Sequence, residues 1–272
     1  MKEKYCFITV NYNNKVFTEK YIINILEMKT NEKNIEIIIV DNDSTNKKEV
    51  EELKEFCRKF ENVKFIQNNK NSGYFSGLNI GIREAKKEKF EYLIIGNNDL
   101  TFDLDFLEKL SSKKYKDDII VIAPNIVTLD GRHQNPHYKN KMGKIEKIES
   151  YIYNFNYYLT MTIKYCLSKI RKKKRVRDSK QWNESTYIWA GIGACYVLNN
   201  NFFKYIVELD ESVFLWGEEV LLAHQVETVG KKIYYDKDLH IEHHESASVS
   251  SIVSKKKYKI VKKSFKIYSK YL

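Results

Sequence analysis

Leu93–Leu100, LIIGNNDL, is a short apolar run that ends in two asparagines and an aspartate. A run of that length bounded by glycine reads as a buried strand, and open α/β sheets bind ligands beyond the carboxyl ends of their strands. Asp99 is then a carboxylate at the lip of a sheet, placed to meet a metal ion or a phosphate. Three other stretches offer chemistry of their own. Asp41-Asn42-Asp43-Ser44 follows directly on the β-branched run Ile35–Val40, Glu218-Glu219 lies within Phe214–Leu222 (FLWGEEVLL), and His243-His244 opens HHESAS. A carboxylate within hydrogen-bonding reach of a hydroxyl can act as a general base. Carboxylates suit Mg²⁺ or Mn²⁺, and a histidine ligand favours Mn²⁺. Each stretch also has a plainer reading, because Asn and Asp are turn formers and acidic residues at a helix start complement its dipole. The functional reading rests on their occurring together.

The elements that must position these residues alternate. Tyr5–Val10 reads as a strand running into the polar turn Asn11–Asn14, and a helix follows through Tyr21 and Leu26. Ile35–Val40, interrupted only by Glu36, is almost continuously apolar, as in a strand buried on both faces of a parallel sheet. From Ser44 onward Val50, Leu53, Phe56, Cys57 and Phe60 form a helical stripe, with a Ser or Thr available as cap. Val63–Ile66 is the next strand, and Gly73–Ala85 reads as a helix with a small-residue face at Gly73, Gly77 and Gly81, suited to close approach by a backbone or a ligand. Strand–helix alternation over the first 100 residues predicts right-handed βαβ units in a doubly wound sheet, with the turns NYNN, DNDS and GNND gathered at one edge. Glu218–Val229 reads as a helix ending before Gly230. Its two leading glutamates point about 100° apart, so they cannot do the same job.

Composition narrows the field. With 272 residues and 43% hydrophobic content the chain can bury a substantial core. Four cysteines, Cys6, Cys57, Cys166 and Cys195, lie far apart with no CxxC pair, which argues against a zinc site or a disulfide framework. Neither GxGxxG nor GxxxxGK[ST] occurs, which lowers the odds of a dinucleotide-binding dehydrogenase or a P-loop enzyme. The amino terminus lacks the apolar stretch of a signal peptide, and no segment approaches the ~18 uninterrupted apolar residues of a membrane span. A cytoplasmic location is expected.

In order along the chain, FITVNYNN, IIIVDNDS, NSGYFSGLNIGI and LIIGNND resemble the nucleotide-sugar half of the family 2 glycosyltransferases, particularly the bacterial rhamnosyl- and galactofuranosyl-type enzymes of surface polysaccharide synthesis. WAGIGACYVL (Trp189–Leu198) resembles the family's small-residue strand on the acceptor side, GEE its acidic pair, and HHESAS its histidine segment. The resemblance covers Tyr5 to Ser248 and is loosest between Asp130 and Tyr187.

The resemblance implies an α/β GT-A fold: a Rossmann-like nucleotide-binding half (residues 1–100) continuous with a mixed acceptor half (101–250) that carries a helical basic insertion at about 143–181. A basic amphipathic tail occupies 251–272. It implies inverting transfer from a nucleotide-diphosphate sugar to a hydroxyl of a growing glycan, with Mn²⁺ or Mg²⁺ held by Asp99 and His243, Glu219 as base and Glu218 in support. Val10, Asn11, Tyr12, Asp41, Asp43, Gly73, Asn79, Asn97 and Asn98 would contact the nucleotide sugar, with Asp41 on the base. Trp189, Gly191 and Trp216 would face the acceptor. The sequence departs from the family at Asn97-Asn98-Asp99, which keeps one carboxylate of the acidic motif, and at Glu219, where the family has Asp. These departures also suit a non-catalytic nucleotide-sugar-binding or scaffold homologue.

The net charge of +11 is concentrated. Met161–Lys180 and Lys255–Leu272 each carry +8, which leaves the remaining chain at −5. A mildly acidic body with two basic appendages argues against nucleic-acid binding, which needs a continuous basic groove. Ile145, Ile148, Ile152, Phe155, Leu159, Ile163, Cys166 and Ile170 fall at helical steps, as do Tyr258, Val261, Phe265, Tyr268 and Leu272. Two readings stand level. The stripes rest on anionic lipid at the inner leaflet, where a lipid-linked acceptor would be met, or they pack on the protein itself.

Overall fold

The computed structural model describes residues 4–28, 34–155, 181–245 and 254–272. The first half runs β1 (Tyr5–Asn11), α1 (Lys15–Leu26), β2 (Ile35–Asn42), α2 (Lys47–Cys57), β3 (Val63–Asn68), α3 (Tyr74–Ala85) and β4 (Tyr92–Asn97). The strands β3-β2-β1-β4 are parallel neighbours. The turns after β1, β2 and β4 therefore meet at one edge, as the alternation predicts.

The second half continues with β5 (Leu100–Phe102), α4 (Phe106–Ser111), β6 (Ile119–Thr128), α5 (Lys144–Phe155), β7 (Thr186–Ile188), β8 (Cys195–Asn199), α6 (Phe202–Tyr205), α7 (Glu218–Thr228), β9 (Lys232–His243) and α8 (Ser254–Tyr268). It extends the same sheet as β4-β8-β6-β9-β5, with β7 on the flank of β9. β8 is antiparallel to β4 and β6, and β6 is parallel to β9. The architecture is the mixed α/β sheet expected, continuous across both halves.

The almost continuous apolarity of β2 has the cause inferred from the sequence. Ile37 and Ile39 enter one core with Tyr21, Ile22 and Ile25 of α1 and Leu53 of α2, while Ile38 and Val40 enter the other with Phe75, Leu78 and Ile82 of α3. Helices cover both faces, so every position on the strand except the half-buried Glu36 is interior. The small face of α3 meets strands, not a ligand, at Gly81. A Cβ there would lie 2.3 Å from Ile8 Cγ2.

Three local expectations change. The cap of α2 is Asn46, whose side chain accepts from Glu49 N, because Ser44 is already bonded to Asp41. Trp189–Leu198 is not one strand. β7 ends at Ile188 and β8 begins at Cys195, leaving 189–194 as a loop. The long amphipathic helix is seen as α5 alone, and Leu159, Ile163, Cys166 and Ile170 lie outside the described residues. Cys6, Cys57 and Cys195 are buried free thiols.

The two basic segments behave differently. Phe265 and Leu272 of the tail are buried against Val220 of α7, Ser264 Oγ donates to Leu215 O, and Tyr271 stacks on His224. Self-packing is thus the reading observed for this stripe, and Lys255, Lys257, Lys259, Lys263, Lys266 and Lys270 are exposed. On α5, Ile145 is 75% exposed and Ile152 48%. No helix among the described residues is long and apolar enough to cross a membrane.

Gly81→Ala forces its methyl into Ile8 and is expected to cost about 1–3 kcal/mol, read as a lower denaturant midpoint at unchanged m-value.

Candidate functional site

The β4 strand stops at Asn97 and the chain jogs out of the parallel sheet before β5 pairs antiparallel to β9, with Leu100 opposite His243. Asp99 sits in the jog. Its carbonyl accepts from His244 N at 3.0 Å, and its Oδ1 lies 3.3 Å from His243 Nε2, with both side chains almost wholly buried. The Asn97 amide nitrogen is 3.4 Å from the same Nε2. Asp99, Asn97 and His243 are therefore brought together at the carboxyl end of the parallel strands. Thr101 Oγ1 holds His244 Nε2 at 2.9 Å, which separates the two histidines: His243 faces Asp99 and His244 does not.

The other asparagines of the edge are structural. Asn98 donates to Thr18 Oγ1 at 2.7 Å, so it ties the jog to α1. Asn11 donates to Asp41 Oδ1 and accepts from Thr18 Oγ1. Asp41 is fully buried, and its carboxylate also receives Ser44 Oγ at 2.6 Å and Ser44 N at 3.1 Å. These donors enclose it and brace the turn after β2. Asp43, at φ 61°, projects outward beside Lys47, and Tyr12 is 40% exposed. Asn79 is fully buried on α3, where its amide exchanges two hydrogen bonds with the main chain of Leu209, so it locks the loop before α7. Val10 packs toward α3.

Gly73 joins the two halves. At φ 110° its missing Cβ would lie 2.6 Å from Phe214 O, and Tyr74 N donates to the same carbonyl at 3.0 Å. Only glycine fits, because backbone meets backbone. The Phe214 segment then turns through Trp216, at φ 66°, and Gly217, at φ 103°, into α7. Tyr268 of the tail fills the space beside Gly217, and Lys257 lies over the Trp216 ring.

The two glutamates separate as the 100° offset requires. Glu218 is buried and Glu219 is partly open. Burial, and then the charge of Glu219, push the Glu218 carboxyl up to about 8, although backbone N–H groups of Glu218 and Trp216 favour its charged form. One of its oxygens, Oε1, has no hydrogen-bond partner. Glu219 Oε2 would lie 3.9 Å from a Cβ on Gly193, which puts it at the 189–194 loop. That loop is shaped by Asn135 Oδ1 accepting from Ile192 N and by Tyr196 donating to Gly191 O. Trp189 and Tyr138 pack edge to face. The charge of Glu219 also acts on His137, whose imidazole burial holds below its ordinary range, and on Tyr138 and Tyr268.

Sequence reasoning missed Gln134, His137, Tyr138 and Tyr268. The first three lie where the family resemblance is loosest, and Tyr268 was read only as part of an apolar stripe.

The sequence profile of glycosyl transferase family 2 matches residues 6–179, and the chain belongs to that family. Polypeptide N-acetylgalactosaminyltransferase 6 of Bos taurus is 23% identical over 184 residues, 68% of this chain and 28% of the relative. Among solved structures, GalNAc-T7 with UDP, GalNAc and Mn²⁺ aligns with a TM-score of 0.62 at 15% identity, over 89% of this chain and 44% of that one. S. aureus TarS 1–349 in complex with UDP gives 0.57 at 11%, over 90% and 61%. The mannosyltransferase PcManGT from Pyrobaculum calidifontis with GDP-Man and Mn²⁺ gives 0.56 at 14%, over 91% and 59%. These likenesses show the GT-A fold. The chain spans less than a third of the length of the curated relative and about half that of the solved structures.

Between its ordinary value of 4.5 and about 8, Glu218 binds more protons folded than unfolded, so its contribution to stability falls as pH rises through that window. Glu218→Gln removes this dependence. A thermal melt series from pH 5 to 9 is expected to show the variant losing less midpoint than the parent, and a parallel decline in both would refute the buried neutral carboxyl.

Proposed function

We propose that this chain is an inverting glycosyltransferase that moves a sugar from a nucleotide-diphosphate sugar to a hydroxyl of a growing glycan, such as a capsule, lipopolysaccharide or other surface polysaccharide. The observation that carries it is the convergence of Asp99 Oδ1 and His243 Nε2 at 3.3 Å, at the sheet edge where this fold class binds nucleotides.

Asp99 and His243 fit a divalent cation. Among the described residues no group of three or more His, Cys, Asp or Glu is arranged to hold a metal, so Asp99 and His243 would be the protein's ligands and the diphosphate and water would supply the rest. Mg²⁺ and Mn²⁺ sites at phosphates are commonly built from so few protein oxygens. GalNAc-T7 was solved with UDP, GalNAc and Mn²⁺, and PcManGT with GDP-Man and Mn²⁺, which supports a divalent cation, Mn²⁺ or Mg²⁺, here. The cation would neutralise the charge that develops on the departing nucleoside diphosphate.

On the opposite side Glu219 takes the proton of the acceptor hydroxyl as its oxygen attacks the anomeric carbon, and the bond to the diphosphate breaks on the far face, which inverts that centre. Glu218, neutral and buried behind it, keeps a second charge out of the pocket. The 189–194 loop, with Trp189 and Gly191, and Trp216 border the space for the acceptor. Tyr12 and Asp43 are the exposed side chains of the edge nearest the nucleoside. A lipid-linked acceptor would be met at the cytoplasmic face of the inner membrane. The exposed Ile145, Ile148 and Ile152 of α5 and the outward lysines of α8 support peripheral contact there, which flotation with anionic vesicles would register and neutral vesicles would not.

Glu219→Gln should fold as the parent does, bind nucleotide sugar unchanged and lose about 10²–10⁴ in kcat. Asp99→Ala should abolish the Mn²⁺ dependence of nucleoside diphosphate binding in calorimetry against UDP, GDP and dTDP, a panel that also identifies the base. Parental turnover in both variants would refute the assignment.

A further inference from the structure

The imidazole that faces Asp99 is held from behind. Residues 132–134 fold back along the end of β6, with Thr128 N donating to Arg132 O at 3.0 Å and Gln134 N to Ile126 O at 2.8 Å. This main-chain pairing sets the position of Gln134 irrespective of its side chain. From there its Oε1 lies 2.8 Å from His243 Nδ1, and its Nε2 donates to Glu245 Oε1 at 2.9 Å. Arg132 reaches the same Glu245 oxygen at 2.7 Å. Glu245 itself is held at φ 44°, a backbone region that non-glycine residues adopt uncommonly.

The protonation pattern follows from donor and acceptor identities. A carboxylate accepts and does not donate, so the Gln134 amide must turn its NH₂ to Glu245 and its carbonyl to His243. A carbonyl facing Nδ1 requires the proton to be on Nδ1, and the neutral ring then carries its lone pair on Nε2. Nε2 has two further neighbours that pull in opposite directions: the Asn97 amide nitrogen at 3.4 Å calls for a lone pair, while Asp99 Oδ1 at 3.3 Å only accepts and draws a proton there, which a cation seated between Asp99 and Nε2 would replace.

We infer that Gln134, braced by Glu245 and Arg132, is a positioning residue that holds His243 Nδ1 as a hydrogen-bond donor and so leaves Nε2, beside Asp99, as the nitrogen that meets a divalent cation. The inference rests on the proposed metal role of Asp99 and His243 and adds the device that orients the nitrogen ligand. A histidine ligand whose outer N–H is bonded to a fixed acceptor is more basic and loses no rotational freedom on binding. Removal of such an outer partner commonly lowers metal affinity 10–100-fold.

The test has two readouts. In metal-free protein, long-range ¹H–¹⁵N spectra, with His243 assigned by its loss in His243→Ala, should show a proton on Nδ1, in the neutral Nδ1–H tautomer or in the imidazolium paired with Asp99. Gln134→Leu should shift that signal toward Nε2–H or a mixture, and Gln134→Glu, which retains an acceptor, should restore it. Mn²⁺ alone, titrated with the free ion followed by electron paramagnetic resonance, should bind Gln134→Leu 10–100-fold more weakly than the parent at an equal thermal midpoint, with recovery in Gln134→Glu. Weakened binding in His243→Ala with parental binding in Gln134→Leu would overturn the role of Gln134 and leave the metal site standing. Parental Mn²⁺ binding in His243→Ala would overturn the metal reading, and the inference with it. An Nε2–H tautomer in the parent would overturn the inference directly.

Discussion

The site depends on where the chain leaves the parallel sheet. Had β4 simply continued, Asp99 would extend the strand and its carboxylate would have no fixed partner. Instead the chain breaks at Asn98 and Asp99, and β5 pairs antiparallel with β9. A strand from the last part of the sheet is thereby docked against the mouth of the first. That pairing brings His243, 144 positions along the sequence, into register beside Asp99, and His244 N closes the corner on the Asp99 carbonyl. Asn98 secures the break itself by bonding into α1. The sheet edge becomes a pocket corner because two strands of opposite direction share it.

Electrostatics then divides the labour of the acidic side chains by burial. Asp41 is buried with Asn11 Nδ2, Ser44 Oγ and Ser44 N donating to it and braces the turn after β2. Glu218 is buried with one oxygen left over and stays protonated well above the usual carboxylate range. Glu219, one residue on, turns into the space beside the 189–194 loop. Two glutamates adjacent in sequence thus meet different dielectric surroundings, and the helix geometry that sets them apart also keeps two full charges from competing for the same space.

Much of this was legible in the sequence, for identifiable reasons. The almost continuous β-branched run of β2 could mean only a two-faced interior position in an alternating chain, and the polar turns after successive parallel strands had to share an edge. The offset of Glu218 from Glu219 follows from 3.6 residues per turn. Less was legible where main-chain geometry decides. Asp41 and Asn79 have the residue types of ligand contacts, yet their surroundings supply partners within the protein, and nothing local in the sequence reveals that Ser44 or the Leu209 main chain will arrive there. Gln134 was silent because its importance comes from a reverse strand along β6 that no periodicity marks. The tail stripe was ambiguous in sequence since an apolar face on a basic helix looks the same whether lipid or α7 receives it.

The contact at Gly73 has a consequence of a different kind. Because Phe214 O presses on the Gly73 backbone and accepts from Tyr74 N, the first half and the loop leading to Glu219 meet at this point through main chain, while Asn79 ties the start of the same loop through its side chain. At the Gly73 joint the spacing does not depend on a side chain. Pocket walls can be exchanged over evolutionary time, altering which sugar or acceptor is admitted, while the length over which the bond is made and broken stays constant. A joint without side chains lets selectivity drift apart from chemistry.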